Sequence, residues 1–483
     1  MAEVIKNYIN GRWVASESEG ILVVRNPATD EAIARVPLST PEEVDAAVRA
    51  ARDAFPEWRE TPPYARARYM FRLKEAMEKR FEDIARTVTL EHGKVIDEAR
   101  GEVRRTIEDV EVAAGIPSLM TGYNLEDVAA GIDEDCVLQP IGVFCAIAPF
   151  NFPAMVPFWF MPYAVACGDT YIIKPSEQTP LSQNLIFEII DEVGFPDGVI
   201  NLVNGAKGVV DALLDHPDVA GVSFVGSTPV AQYIYNKAAA NGKRVQAQAG
   251  AKNFLVVMPD AVLERTVPNL MSSFFGNTGQ RCLAGAVLVA VGDIYEPLKE
   301  QVVEAASRLK VGYGMDEGVQ IGPVISRRAL ERITGYIEKG LEEGAKLLLD
   351  GRDVKVEGYP NGYFIGPTIF DEITPEMTIA REEIFGPVMS IIHVNDFEEA
   401  LAVIEANPYG NAASIFTASG KWAREFKYRV RCGNIGINIG IAAPIASFPF
   451  GGMKQSFFGD LHGQGQDAIN FFTDRKVVIS RWF

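Results

Sequence analysis

Residues 142–174 read GVFCAIAPFNFPAMVPFWFMPYAVACGDTYIIK. Two apolar runs of strand length, 143–148 and 170–174, flank a segment of helical character from Pro153 to about Ala166. Strands apolar on both faces and separated by helices belong to parallel sheets that are covered on both sides. Toward the C-terminus the alternation continues. A helix through 185–193, the strand VINLV, a short helix after Gly208, the strand GVSFVG, a helix over 229–241 and the strand VQAQ follow in turn. This pattern predicts an α/β fold with a doubly wound parallel sheet, whose ligands bind at the carboxyl ends of the strands.

Upstream, the first 120 or so residues open with strand-like pieces and continue as helices. Thr40-Pro41-Glu42-Glu43 has the form of a capping box with proline at the first helical position. Val44, Val48, Ala51 and Phe55 then recur at helical spacing and are expected in the core. Downstream, residues 253–449 have their own strand and helix pattern and predict a second α/β unit. A polar insert at 123–139 and the ending FFTDRKVVISRWF are strand segments in need of partners. A small sheet that also joins subunits would provide them.

Composition narrows the function. The 483 residues suggest about three domain-sized units. A formal charge of −18 argues against nucleic acid and anionic membranes as partners. The N-terminus shows no basic region followed by an apolar core, and no run of about twenty apolar residues is present. Five cysteines without paired metal-ligand spacing and four scattered histidines predict a reduced cytoplasmic protein with free thiols and no metal site.

Cys282 lies in GNTGQRCLAGAVLVAV, residues 276–291, between a helical stretch and an apolar run. A lone cysteine is usually a small buried hydrophobe. Here Gly276, Gly279 and Gly285 allow close approach of a ligand, and Arg281 sets a positive charge beside a sulfur that can act as a nucleophile. Asn151 follows the first strand, where its amide could donate to a developing oxyanion, although an asparagine in a turn would look the same. Lys174 and Glu177 follow the next strand and suit the ribose hydroxyls of a dinucleotide. Gly226 and Ser227 form a strand-to-helix turn suited to phosphate, and Gly205 is a position of close approach. No GxGxxG fingerprint is present.

APFNFP, IIKPSEQTP, FVGSTP, GQRC and EEIFGPV, in this order across most of the chain, resemble the aldehyde dehydrogenase superfamily. The resemblance implies an NAD-binding domain (1–120 and 141–248), a catalytic domain (249–449) and oligomerisation segments (121–140 and 465–483). It implies Cys282 as nucleophile, with the Asn151 amide and the Cys282 N–H as oxyanion hole. Glu383 would hold the nicotinamide ribose with Phe385 beside the ring. Ala148, Phe150, Lys174, Glu177, Gln178, Gly205, Gly226, Ser227 and Ala249 would complete the NAD site. A homo-oligomer built as a dimer of dimers is implied as well.

One departure from the family is informative. Hydrolytic members carry a glutamate where this chain has Gln248, at the head of QAGAKN. An amide cannot take a proton from water, whereas a thiol is nucleophilic without that base. VQAQAGAKNFLVVMPDA, FPFGGMKQSFFGDLHGQG and FFTDRKVVISRW resemble the CoA-acylating branch that acts on methylmalonate semialdehyde. That branch implies a carboxylate clamp at Arg105 and Arg281, with the adjacent Arg104 as the alternative to Arg105 and a solvated helix face as the plain reading of either. The expected activity is NAD-dependent oxidation of malonate or methylmalonate semialdehyde to acetyl-CoA or propionyl-CoA, with release of carbon dioxide. A hydrolytic semialdehyde dehydrogenase and a catalytically silent binding protein are the alternatives.

Overall fold

The computed structural model describes residues 2–483. Its first sheet has five parallel strands at its centre, in the order Ile200–Leu202, Thr170–Lys174, Val143–Ile147, Val219–Val225 and Arg244–Gln248. Asn7–Ile9 and Arg12–Val14 extend one edge, and Phe457–Gly459 pairs antiparallel with Gln246–Gln248 at the other. Chain order runs outward in both directions from Val143–Ile147, so the winding reverses between that strand and Val219–Val225. Such a reversal opens a crevice at the carboxyl ends. The APFNFP and GSTP loops lie there.

The second sheet runs Lys346–Leu349, Thr368–Asp371, Val388–Val394, Gly285–Val291, Asn253–Val257, Ala412–Phe416 and Asn434–Ile437. All its pairings are parallel except the first. The fold is thus α/β, built on two largely parallel sheets. A third, antiparallel sheet joins Tyr123–Ala129, Ile132–Pro140 and Thr473–Arg481, which gives both isolated strand segments their partners. Tyr123, Leu125, Val477, Ile479 and Trp482 remain exposed on it.

The capping box at Thr40 forms with both reciprocal hydrogen bonds and starts the helix Pro41–Glu60. Val44, Val48 and Ala51 are buried as expected, but Phe55 is only half-buried. Trp58, three residues on, takes the inward position and donates its indole N–H to the Val165 carbonyl.

The continuous helix expected over 153–166 is also corrected. The structure has a 3₁₀ turn, Val156–Trp159, followed by the α-helix Met161–Cys167. Pro153, Pro157 and Pro162 lack the N–H a long helix needs. The N–H groups of Ala154 and Met155 bond instead to Glu102 Oε1, at 2.9 and 3.2 Å. Glu102 belongs to the helix Ile96–Ala114, which packs beside this segment. No helix among the described residues is long and apolar enough to cross a membrane.

Candidate active site

Cys282 follows a contorted segment. Asn277, Thr278 and Gly279 all have left-handed backbone, with φ of 52°, 52° and 69°. Two of the three carry a side chain that disfavours this region, so the turn stores strain held by its surroundings. Asn277 N–H donates to Glu98 Oε1 at 2.7 Å, and its amide donates to the Gln280 carbonyl at 2.9 Å. Thr278 bonds to the Gly322 carbonyl, and Gln280 accepts from Ile325 N–H. A Cβ on Gly279 would stand 2.1 Å from the Gly386 carbonyl oxygen, so glycine is required there. Beyond the turn, the Cys282 carbonyl accepts from the amides of Asn253 and Asn411, at 2.8 and 2.9 Å. The backbone that carries the sulfur is therefore pinned from both sides.

The thiol itself departs from expectation. Burial pushes it up to about 12, the Glu383 carboxylate adds to this, and Arg281 only opposes. A positive neighbour in the sequence does not make a thiolate when desolvation dominates. The Arg281 guanidinium also reaches Glu98, with Nη2 at 3.4 Å from Oε1, and Nη1 is buried without a partner among the described residues.

Asn151 is buried, and its Nδ2 donates to the Gln280 carbonyl at 3.0 Å, which ties it to the cysteine loop. An amide nitrogen carries two hydrogens, so one remains beyond this contact. The Asn151 carbonyl accepts from Lys94 Nζ at 2.7 Å. Lys94 also pairs with Glu102 at 2.6 Å, both side chains at 0% exposure, and lies 3.9 Å over the Phe152 ring. This pair locks the APFNFP loop against the helix Ile96–Ala114 and the turn that precedes it. Sequence reading missed it, because two charges eight residues apart resemble solvated helix faces until the chain is folded.

A cavity of about 270 Å³ opens on one side of the sulfur. Phe152, Met155, Trp159, Leu283 and Phe450 supply apolar lining. Glu98, Gly101, Glu102, Arg105 and Asp109, one face of the helix Ile96–Ala114, supply the polar wall beside Arg281. Arg105 faces the cavity while donating to Glu108 at 2.9 Å, whereas Arg104 points away to both oxygens of Glu78. Both expected arginines thus meet in one cavity with Cys282. Asp109 and Gln464 also line it and were not singled out from the sequence.

A second, smaller cavity on the other side of Cys282 is lined by Lys252, Glu383 and Phe385 among others. Glu383 Oε1 accepts from Ala251 N–H at 2.9 Å, and burial pushes its carboxyl up to about 7. Burial pushes the Lys252 ammonium down, also to about 7. Phe385 has a left-handed φ of 56° and meets the Phe150 ring edge-on at 5.9 Å. Cys282 is the sulfur common to both cavities.

The remaining expected residues gather at the carboxyl ends of the first sheet. Lys174 Nζ pairs with Glu177 at 2.9 Å. Burial would raise the Glu177 carboxyl, but Lys174 and the carboxyl's hydrogen bond to its own backbone N–H together outweigh it, and the net shift is downward. Gly205 has φ of 148°, and a Cβ there would stand 2.5 Å from Val209 Cγ2. Ser227 caps the helix Thr228–Ala240 without using its side chain, which leaves the helix N-terminus open to an anion. Three expected backbone donors are already engaged. Gly226 N–H bonds to the Gln248 carbonyl, Ala148 N–H to that of Lys174, and Ala249 N–H to that of Ser456. Gln178 N–H bonds to Ser176 Oγ. The carboxylate, the lysine, the close-approach glycine and the open helix end together fit an adenine dinucleotide.

Gln248 is buried at the end of its strand. Its Nε2 donates to the Phe450 carbonyl at 2.8 Å, and Phe450 lines the larger cavity.

The sequence profile of the aldehyde dehydrogenase family matches residues 13–478. Malonate-semialdehyde dehydrogenase 2 of Geobacillus kaustophilus is 51% identical over 481 residues, 99% of each chain. The crystal structure of methylmalonate-semialdehyde dehydrogenase from Oceanimonas doudoroffii superposes with a TM-score of 0.98 at 47% identity, covering 100% of this chain and 99% of that one. A structure from Sinorhizobium meliloti 1021, described as a methylmalonate-semialdehyde dehydrogenase and solved with NAD, gives 0.98 at 42% identity, covering 100% and 98%.

Proposed function

Because the chain belongs to the aldehyde dehydrogenase family, we propose that it oxidises malonate or methylmalonate semialdehyde with NAD and passes the acyl group to coenzyme A. The products are acetyl-CoA or propionyl-CoA and carbon dioxide. The observation that carries this reading is the meeting of Arg105, Arg281 and Cys282 in one cavity, with a second cavity behind the sulfur. The names of the relatives agree with it.

In this reading the arginines hold the substrate carboxylate and present the aldehyde carbon to Cys282. The Asn151 amide and the Cys282 N–H hold the oxyanion that forms. NAD, when bound, accepts the hydride; Lys174, Glu177, Gly205 and Ser227 would hold its adenosine diphosphate half and Glu383 with Phe385 its nicotinamide half. The resulting thioester loses carbon dioxide, the electron pair moves onto the thioester carbonyl, and a proton then returns to carbon. The coenzyme A thiolate attacks the acyl carbon and Cys282 leaves. Glu177 favours NAD over NADP, since a 2′-phosphate would meet its carboxylate. The division into NAD-binding, catalytic and oligomerisation units belongs to the same proposal. So do a cytoplasmic location and a dimer of dimers joined through the third sheet, whose exposed apolar side chains suit a subunit contact.

Coenzyme A dependence is the test. With Gln248 committed to the Phe450 carbonyl and no carboxylate in its place, deacylation by water lacks a base. Without coenzyme A, stopped-flow traces should show one burst of NADH followed by slow hydrolysis; adding coenzyme A should restore turnover. Sustained turnover to the free acid without any thiol would overturn the acyl-transfer reading in favour of the hydrolytic one.

The clamp makes a separate prediction. Arg105→Leu should lower the efficiency for malonate semialdehyde several-fold relative to propionaldehyde, since a charge pair made by a guanidinium that is 39% exposed is worth about 1 kcal/mol. Steady-state kinetics on both aldehydes gives the ratio. A constant ratio would remove Arg105 from the site.

A further inference from the structure

The larger cavity is roomier than the proposed substrates require. Its volume is about 270 Å³. A dry cavity of about 150 Å³ is enough for benzene, which matches malonate semialdehyde in heavy atoms, so space for about three or four further carbons remains. We infer that the cavity takes 3-oxo acids carrying an apolar group of about three or four carbons on C2, seated between Gly101 and the segment Phe152–Trp159. The inference rests on the proposed oxidation of a 3-oxo acid and extends it to a wider substrate class.

Both polar ends of such a substrate are committed. The carboxylate goes to Arg105 and Arg281 and the aldehyde carbon to Cys282, so the substituent on C2 is the part free to reach the rest of the cavity. Phe152, Met155, Trp159, Leu283, Ile441 and Phe450 line that remainder. The two glutamates of the wall make no call for a polar substituent. Glu102 is paired with Lys94, and Glu98 accepts from Asn277 N–H and faces Arg281. Apolar surface also continues outward. Ile445 lies between the lining residues Pro444 and Ala446, Phe448 follows two residues on, and they are 51% and 61% exposed. Exposed apolar side chains beside a cleft are what a ligand groove presents.

Gly101 sets the depth of the hollow. It lies inside the helix Ile96–Ala114, where only proline is less favourable than glycine. Packing does not require it, because a Cβ there would meet no atom within 4 Å among the described residues. What the missing side chain provides is room. Gly101 stands one turn before Arg105 and adjoins it on the cavity face. On the other side of Arg105 the same spacing brings Asp109, whose side chain is buried against Tyr163 and closes that direction. Across from Gly101, the N–H groups of Ala154 and Met155 tie the apolar segment to Glu102, the next residue of the helix.

The chemistry is that of the smaller acids. With a propyl group on C2, the products are pentanoyl-CoA, carbon dioxide and NADH. Hydride leaves the aldehyde carbon for NAD, and the thiol proton of coenzyme A takes the place of the carboxylate on C2.

The experiment compares kcat/KM for 3-oxopropanoate bearing hydrogen, methyl or propyl on C2, with NAD and coenzyme A, in wild type, Gly101→Ala and Gly101→Leu. Wild type should use the propyl acid at least as efficiently as the methyl acid, and mass spectrometry should find pentanoyl-CoA. A single methylene in an apolar pocket is worth roughly tenfold or more, so Gly101→Leu, which fills the hollow, should lower the propyl-to-hydrogen ratio by at least roughly tenfold. Gly101→Ala should give an intermediate ratio. Both replacements favour the helix over glycine, so the variants should fold, and thermal unfolding checks this. A wild type less efficient with the propyl than with the methyl acid, or a ratio unmoved in both variants, overturns the inference and leaves the proposed function standing. Turnover of none of the three acids overturns both.

Discussion

Replacing Cys282 with alanine should lower aldehyde oxidation by ~10⁴-fold or more, the scale on which removal of a covalent nucleophile is felt. NAD affinity, measured by calorimetry or fluorescence, should change little, because Lys174, Glu177 and Ser227 lie on other segments. Cys145, Cys167 and Cys432 are buried, and their replacement should affect packing alone. Because burial pushes the Cys282 thiol up to about 12, the thiolate fraction of the free enzyme should climb ~tenfold per pH unit from 7 to 9, where the thiol form dominates. Alkylation by iodoacetamide should follow that slope. A plateau below pH 9 would mean that Arg281 outweighs desolvation. Full activity in Cys282→Ala would remove the proposed chemistry altogether.

Lys94→Met should produce the largest loss of stability. It leaves the Glu102 carboxylate buried without its countercharge, a defect that costs about 3–5 kcal/mol, against a total of about 5–15 kcal/mol for a typical domain. It also releases the Asn151 carbonyl from its 2.7 Å hydrogen bond, so activity should fall with stability. Lys94→Met combined with Glu102→Gln should recover much of the loss. The second change removes the stranded charge yet keeps an oxygen for the N–H groups of Ala154 and Met155. Urea midpoints for the two single variants and the double variant measure this. A double variant as unstable as the sum of the singles would show that the charges act independently.

Much of this architecture was readable in advance, and the reasons are physical. Strands such as Val143–Ile147 and Thr170–Lys174 are buried along their whole length, so they stand out as unbroken apolar runs. The Thr40 capping box needs only local residues and formed as read. Most of what failed depended on distant partners. The helix expected over 153–166 broke at Pro157 and Pro162, which lack the N–H it needs, and its short pieces are anchored by Glu102 through the N–H groups of Ala154 and Met155. Arg104 and Arg105 were indistinguishable in sequence until Glu78 drew the first outward. The thiol of Cys282 was misjudged because a charge can be read from a sequence and desolvation cannot.

The two cavities share Arg281 and Cys282 and otherwise draw on different parts of the chain. The smaller one is lined from 251–253, 279–286 and 383–388, and takes nothing from the helix Ile96–Ala114. The larger one takes Glu98, Gly101, Glu102, Arg105 and Asp109 from that helix. On the proposed reading only the aldehyde cavity uses this helical face, so substitutions there would alter the aldehyde accepted while the smaller cavity keeps its lining. Gly101 is the point of entry for such drift. A Cβ built there meets no atom within 4 Å, so successively larger side chains would trim the pocket step by step. For directed evolution, positions 101 and 105 would form a compact library aimed at the proposed aldehyde cavity, since neither lines the smaller one.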